Sequence, residues 1–150
     1  IIGSQLSGDF VLPENQDIKC VFIAGGIGIT PFRSMIKYLL DTKQKRDITL
    51  LYSDKTPKSF VYREIFDEAK KQLGFKIIYT ATDVNSISDN WDGCTGRITP
   101  ELIKATLGNY GEHKFYISGS QSMVNGVKKM LKEIKVKEEN IITDYFPGLN

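Results

Sequence analysis

Apolar residues follow two rhythms along this chain, and the two alternate. Short unbroken runs occur at 19–25 ("KCVFIAG"), 47–53 ("DITLLYS"), 75–81 ("FKIIYTA"), 113–119 ("HKFYISG") and 140–146 ("NIITDYF"). Their length and their β-branched and aromatic content predict strands buried on both faces. Between them, apolar positions recur at steps of three and four, the period of a helix with one buried face. "PFRSMIKYLL" puts Phe32, Met35, Ile36, Leu39 and Leu40 on such a face, with Pro31 suited to the first turn. "SFVYREIFDEAKKQLG" does the same with Tyr62, Ile65, Phe66, Ala69 and Leu73, and Gly74 is its expected stop. "TPELIKATLG" predicts a short helix capped by Thr99 with Pro100 next. "SQSMVNGVKKMLKEI" predicts a last helix with Met123, Val127, Met130, Leu131 and Ile134 on one face. The stretch at 86–97, "SISDNWDGCTGR", reads as a polar loop.

Strand and helix in alternation argue for a parallel sheet covered on both faces. Right-handed crossovers then give a doubly wound α/β domain, here a five-stranded sheet in the order 3-2-1-4-5. Such sheets bind ligands at the carboxyl ends of their strands, where the strand order reverses.

Composition narrows the class. The chain has 150 residues, 41% hydrophobic and 25% charged, with a net charge of +2, an ordinary globular mix. Its most basic stretch, "VKKMLKEIKVK", is interrupted by apolar residues at helical spacing, so it reads as a solvated helix face and not as a nucleic-acid surface. No apolar run approaches the roughly 20 residues of a membrane span, and no signal-peptide pattern is present. Cys20 and Cys94 stand far apart, which predicts free thiols in a reducing, cytoplasmic setting, with membrane association through parts outside these residues as the alternative. With one histidine, His113, expected at the surface, no metal site is predicted. The opening "IIGSQLSGDFVLPENQD" starts no helix. Residues 1–17 read as the remnant of an upstream domain or linker, with a short N-terminal strand as the alternative, and residues 18–150 as the domain itself.

"FIAGGIGITPFRSM" carries the chemistry. Gly25, Gly26 and Gly28 end the first strand just before a helix, where glycine lets a backbone come close to a phosphate whose charge a helix N-terminus favours. A tight strand-to-helix turn with no ligand would look the same. A second such junction, "YISGSQSM", ends the fourth strand. In the parallel-sheet reading it neighbours the first across the switch point, as in a dinucleotide cleft.

These two segments, with "WDGCTGRI" between them and "TDYFPG" at the end, resemble the C-terminal half of the ferredoxin–NADP reductase family, over about residues 18–150. The resemblance implies a two-domain flavoenzyme in which a separate barrel carries FAD and this domain brings NADH or NADPH to it. It implies that Gly26, Gly28, Thr30 and Pro31 form the pyrophosphate and nicotinamide loop, with Thr30 near the nicotinamide. Ser118, Gly119, Ser120 and Met123 would form the second nucleotide loop. Many members carry cysteine where Ser118 stands beside the hydride path. Asp144 and Phe146 match a carboxylate-x-aromatic ending in which the aromatic lies near the flavin, although "PGLN" follows here. Thr30, Ser118 and Phe146 are thus the expected catalytic positions.

After the third strand, the family reads the adenosine ribose. NADP-dependent members tend to place Ser-Arg there, whereas this chain has Thr82-Asp83. A carboxylate accepts ribose hydroxyls and repels a 2′-phosphate, which favours NADH. Asp83 as a simple turn residue is the alternative, and Arg97 or Lys55 would pull the other way. Ser53 is expected to touch the adenosine half. Trp91 reads as a structural ring more than an adenine contact, and Met35, Met123 and Met130 as core residues more than a cofactor box.

The barrel's Arg-x-Tyr-Ser/Thr signature is absent from these residues. The chain therefore reads as the nucleotide half of a larger flavoprotein, with its flavin-binding domain and a ferredoxin, iron–sulfur or haem protein as partners. A nucleotide-binding module without redox chemistry is the alternative.

Overall fold

The computed structural model describes residues 10–146. Residues 1–9 and 147–150, which hold much of the expected N-terminal remnant and the "PGLN" tail, lie outside the described residues. The strands are β1 (Cys20–Gly25), β2 (Ile48–Asp54), β3 (Lys76–Ala81), β4 (Cys94–Thr95), β5 (Lys114–Gly119) and β6 (Ile141–Tyr145). All their pairings are parallel, in one sheet of order β4-β3-β2-β1-β5-β6. The order reverses beside β1, as the alternation predicts. The sheet has one strand more than the sequence reading gives. β4 is only two residues long and falls in the predicted polar loop, held by the pairs Thr80–Cys94 and Ala81–Thr95. An edge strand so short has no apolar run to announce it.

The helices are α1 (Ile29–Asp41), α2 (Arg63–Leu73), α3 (Pro100–Leu107) and α4 (Gln121–Glu133). Because strand side chains alternate between faces, the sheet feeds two cores. Phe22, Ala24, Leu50, Tyr52 and Tyr116 meet Phe32, Ile36 and Leu39 of α1 and Phe66 and Ala69 of α2. Val21, Ile23, Leu51, Phe115 and Ile117 meet Ile103 of α3 and Val124, Val127 and Leu131 of α4. Phe22 and Phe32 stack with ring centroids 4.6 Å apart. The segment ahead of β1 packs on the α1 face. Phe10 is buried there, edge-on to Tyr116, whose Oη donates to the Val11 carbonyl at 2.6 Å.

Two local expectations need correction. The second helix begins at Arg63, four residues later than the apolar period suggests. Residues 57–59 form a 3-10 turn, and Tyr62 sits in the left-handed region at φ 61°. Phe60 draws the chain out of the helical path, because its ring packs among Tyr52, Tyr79 and Trp91. Tyr62 is therefore exposed, with the Arg33 guanidinium 5.5 Å from its ring centroid. His113 is not at the surface but only 5% exposed, against Phe115. Burial lowers its pKa, and Asp47 acts in the opposite sense. Thr99 and Ser120 cap α3 and α4, accepting the amides of Leu102 and Met123.

After β1 the chain makes one 3-10 turn, Gly26–Gly28, and enters α1 directly. The two glycines serve different needs. Gly26 has φ 54° and open space around it. At Gly28 the need is room: a Cβ there would lie 2.2 Å from the Ser118 carbonyl oxygen and 2.6 Å from the Gly119 nitrogen. What it would meet is the backbone of the neighbouring strand, which cannot swing aside. Gly28→Ala is therefore expected to cost roughly 3 kcal/mol or more, as overpacking against a rigid neighbour. Gly26→Ala is expected to cost about 1–2 kcal/mol, for a left-handed alanine alone. Urea unfolding of the two variants should give that order; equal losses would contradict it.

Candidate nucleotide site

β1 and β5 lie side by side in register, Ala24 opposite Ser118, so their two glycine turns emerge together at the carboxyl edge of the sheet. The Met123 side chain wedges the turns. A Cβ on Gly25 would stand 3.2 Å from its sulfur, and one on Gly119 2.8 Å. Met123 is thus neither a plain core residue nor a free surface one. Its place is fixed by the Ser120 cap, whose Oγ accepts the Met123 amide at 3.3 Å. The turns are mostly glycine, and the one large apolar side chain they expose is that of Ile27.

A depression opens on each side of the turns. On the α4 face lies a cleft of about 470 Å³, with Ser53 and Thr82 at the ends of β2 and β3 on one wall and Met123, Val127 and Met130 on the other. Arg97 lines the same cleft and is the one charged side chain among its described lining residues. On the α1 face lies a groove of about 800 Å³, bounded by Phe10, Ile27, Thr30, Pro31, Met35 and Phe146. Both volumes suit parts of a small-molecule ligand. Thr30 is exposed and sets a hydroxyl in an otherwise mostly apolar groove. Phe146 is tied to the second turn, its amide donating to the Gly119 carbonyl at 3.3 Å.

Between the depressions lie two buried polar groups without partners. Ser118 is fully buried and its Oγ has no hydrogen bond among the described residues; the same holds for Asp144 Oδ2. In-register pairing of Ala24, Ser118 and Asp144 points all three toward the α1 face. Burial pushes the Asp144 carboxyl above its ordinary pKa, against a smaller opposing effect of the Tyr145 backbone. Orphaned buried polar atoms call for a partner, because desolvating one without a hydrogen bond is costly.

The structure gathers most of the expected residues at this edge: Gly26, Gly28 and Gly119 in the turns, Ser53, Thr82 and Met123 at the cleft, Thr30, Pro31 and Phe146 at the groove. Ser118 lies beneath Gly28, and Ser120 serves as a helix cap. Asp83 stands apart. It is exposed, does not line the cleft, and its carboxylate accepts the Asn85 amide at 3.0 Å. Trp91 takes the structural role, stacked on Phe60 with its Nε1 donating to the Cys94 carbonyl. Phe10 at the groove and Val127 and Met130 at the cleft were not foreseen as site residues, since apolar periodicity marks a residue as buried without saying what it faces. Neither cysteine takes part. Cys20 is buried, its thiol pushed up to about 11 by that burial, and Cys94 lines neither depression.

The raised Asp144 pKa has a sign that can be tested. Ionised Asp144 is a cost to the folded state. It is absent below the ordinary carboxylate value of 3.8 and grows as pH rises through the higher folded value. Asp144→Asn is therefore expected to melt at or above the wild-type temperature at neutral pH, with the difference closing below pH 3.8. Thermal melts across that range check it; a variant that is less stable at neutral pH would show that the carboxylate is paired.

Known proteins share this arrangement. Residues 22–129 match the family "Oxidoreductase NAD-binding domain". One component of the Na(+)-translocating NADH-quinone reductase, its F polypeptide, is 34% identical over 149 residues in Neisseria meningitidis and in Serratia proteamaculans, covering 95% of this chain and 37% of the relative. The chain thus spans little more than a third of the length of these relatives. Among solved structures, the FAD/NAD binding domain of nitric oxide dioxygenase from Vibrio cholerae superimposes with a TM-score of 0.78 at 21% identity, over 93% of this chain and 55% of that one. The ferredoxin reductase of carbazole 1,9a-dioxygenase gives 0.72 at 24%, over 91% and 40%. Sheet order, paired glycine turns and family match agree: the chain belongs to the oxidoreductase NAD-binding domain family.

Proposed function

We propose that this domain holds NADH across the edge of its sheet and presents the nicotinamide to a flavin bound mainly by another domain of the same protein. The observation that carries this reading is the contact of Gly28 with Ser118 and Gly119. It makes a stretch of bare backbone between two depressions, over which a pyrophosphate fits at the start of α1. The adenosine half then lies in the cleft against Ser53 and Thr82, and the nicotinamide reaches the groove beside Thr30.

The groove suits a flat ring system. Phe10, Pro31, Met35 and Phe146 offer apolar surface, and Ser118 and Asp144 lie behind it with polar atoms unpartnered. When bound, a flavin takes two electrons together as hydride and releases them singly, which suits an iron–sulfur or haem acceptor. The work of this chain is positioning: Thr30 orients the nicotinamide carboxamide, Phe146 covers the ring, and the apolar walls exclude water. Asp144 pairs with Ser118 across the neighbouring strand, and its unpartnered Oδ2 is free to accept a hydrogen bond from a bound ring. The whole protein is then an NADH-dependent flavin oxidoreductase. Its thiols, free among the described residues, fit the reducing cytoplasm. No helix among the described residues is long and apolar enough to cross a membrane.

Anaerobic mixing of NADH with the intact protein is expected to bleach the visible absorbance of its flavin. Thr30→Val should slow that bleaching roughly tenfold, the value of one hydrogen bond to the reacting ring, with little change in NADH affinity. An intact protein that carries no flavin, or that binds NADH without bleaching, would refute the redox reading and leave a nucleotide-binding module.

A further inference from the structure

The segment ahead of β1 lies along the α1 face without forming a helix or a strand. It leaves β1 through a turn in which the Asp17 amide donates to Asn15 Oδ1 at 3.0 Å and the Ile18 amide to the Asn15 carbonyl at 3.3 Å. Among the described residues, no backbone–backbone hydrogen bond ties residues 10–14 to the sheet or the helices. Two side chains hold this strap instead. Tyr116 Oη donates to the Val11 carbonyl at 2.6 Å, and Arg46 Nη1 donates to the Pro13 carbonyl at 2.6 Å.

The strap is part of the groove. Phe10, Val11 and Leu12 line it together with Thr30, Pro31 and Met35 of α1. Apolar contact alone fixes an irregular segment poorly, because it has no direction. A hydrogen bond sets both distance and angle. The residue at 116 illustrates the difference. Its ring is fully buried, edge-on to Phe10 and to Phe22 with centroids 5.5 and 5.6 Å away. Phenylalanine would keep those ring contacts. The hydroxyl stabilises the fold only with the strap in place, since a buried hydroxyl without a partner is a cost. Arg46 acts from the other end. It precedes β2, at the edge of the sheet opposite the glycine turns, and the length of that strand sets it roughly 20 Å from the carboxyl edge. Whatever Arg46 does to the groove, it does through the strap.

Resting on the nucleotide reading above, we infer that Tyr116 and Arg46 are positioning residues: through the carbonyls of Val11 and Pro13 they hold the strap in register on α1, and so fix the side of the groove against which nicotinamide and flavin meet.

Tyr116→Phe and Arg46→Met in the intact protein provide the test, since each removes a donor and keeps most of the side chain. Amide hydrogen exchange is expected to quicken across residues 10–14 in both variants and to stay unchanged in α1 and β5. With saturating NADH, flavin bleaching should slow roughly tenfold in Tyr116→Phe, the order of effect that a small misplacement of reacting groups produces, and by a smaller factor in Arg46→Met. Calorimetric affinity for 5′-AMP, which occupies the cleft alone, should not change in either, which also shows that both variants are folded. Bleaching at the wild-type rate despite a loosened strap would overturn the inference, as would unchanged exchange at residues 10–14. An equal loss of bleaching and of 5′-AMP affinity would overturn it too, by showing general damage to the fold. A wild-type protein that does not bleach with NADH refutes the redox reading itself, and this inference falls with it.

Discussion

The carbonyl of Ser118 and the Cα of Gly28 lie so close that no side chain fits between them. That contact sets the geometry of the rest. It brings the end of β1 against the end of β5, so α1 starts where α4 also starts, and two helix N-termini share one edge of the sheet. Met123 locks the arrangement from the side, with the Ser120 cap holding it in place. A larger residue at position 28 would push the turn off β5 and open the backbone surface that the helix termini need to face an anion. The constraint is steric, but its consequence is electrostatic.

The same contact explains the two orphaned polar groups. Ser118 and Asp144 lie beneath the turn on the α1 face, where close packing leaves the Ser118 hydroxyl and Asp144 Oδ2 without partners among the described residues. A domain selected only for stability would place apolar residues at those positions, since a buried unpaired hydroxyl and carboxyl both cost free energy. Keeping them is reasonable if a ligand or a neighbouring domain completes their hydrogen bonding. The strain of the site lies in polar desolvation and not in the backbone, for the left-handed non-glycine residues Lys43, Tyr62 and Lys135 all fall elsewhere.

What the sequence disclosed follows from how each feature is encoded. The inner strands were legible because each is an unbroken apolar run, and the helix faces because Phe32, Ile36 and Leu39 repeat at helical spacing. Glycine turns at strand ends pointed to the edge where the depressions open. The start of α2 was not legible, because it depends on Phe60 packing among rings that come from β2, β3 and the Trp91 loop. β4 was missed because two residues carry no period. His113 was misplaced since a lone polar residue at the start of a strand gives no sign of its depth. Asp83 and Arg97 show the limit most clearly. Both are charged residues in polar loops, and only the structure shows that the Asp83 carboxylate accepts the Asn85 amide while Arg97 lines the cleft.

The two depressions lie on opposite faces of one sheet, and a single ligand spanning both must cross its edge. The walls differ accordingly. The cleft offers hydroxyls and a cation, suited to ribose and phosphate, while the groove is largely apolar, suited to rings that stack and react away from water. In the proposed binding mode the glycine-rich crossing point takes the middle of the ligand, its most highly charged part, which gains most from backbone N–H groups at close range. On this view the glycine turns do not recognise a nucleotide by themselves. They provide the one bare passage between a surface that reads the coenzyme and a surface that uses it, and every other residue of the site takes its role from the side of that passage on which it lies.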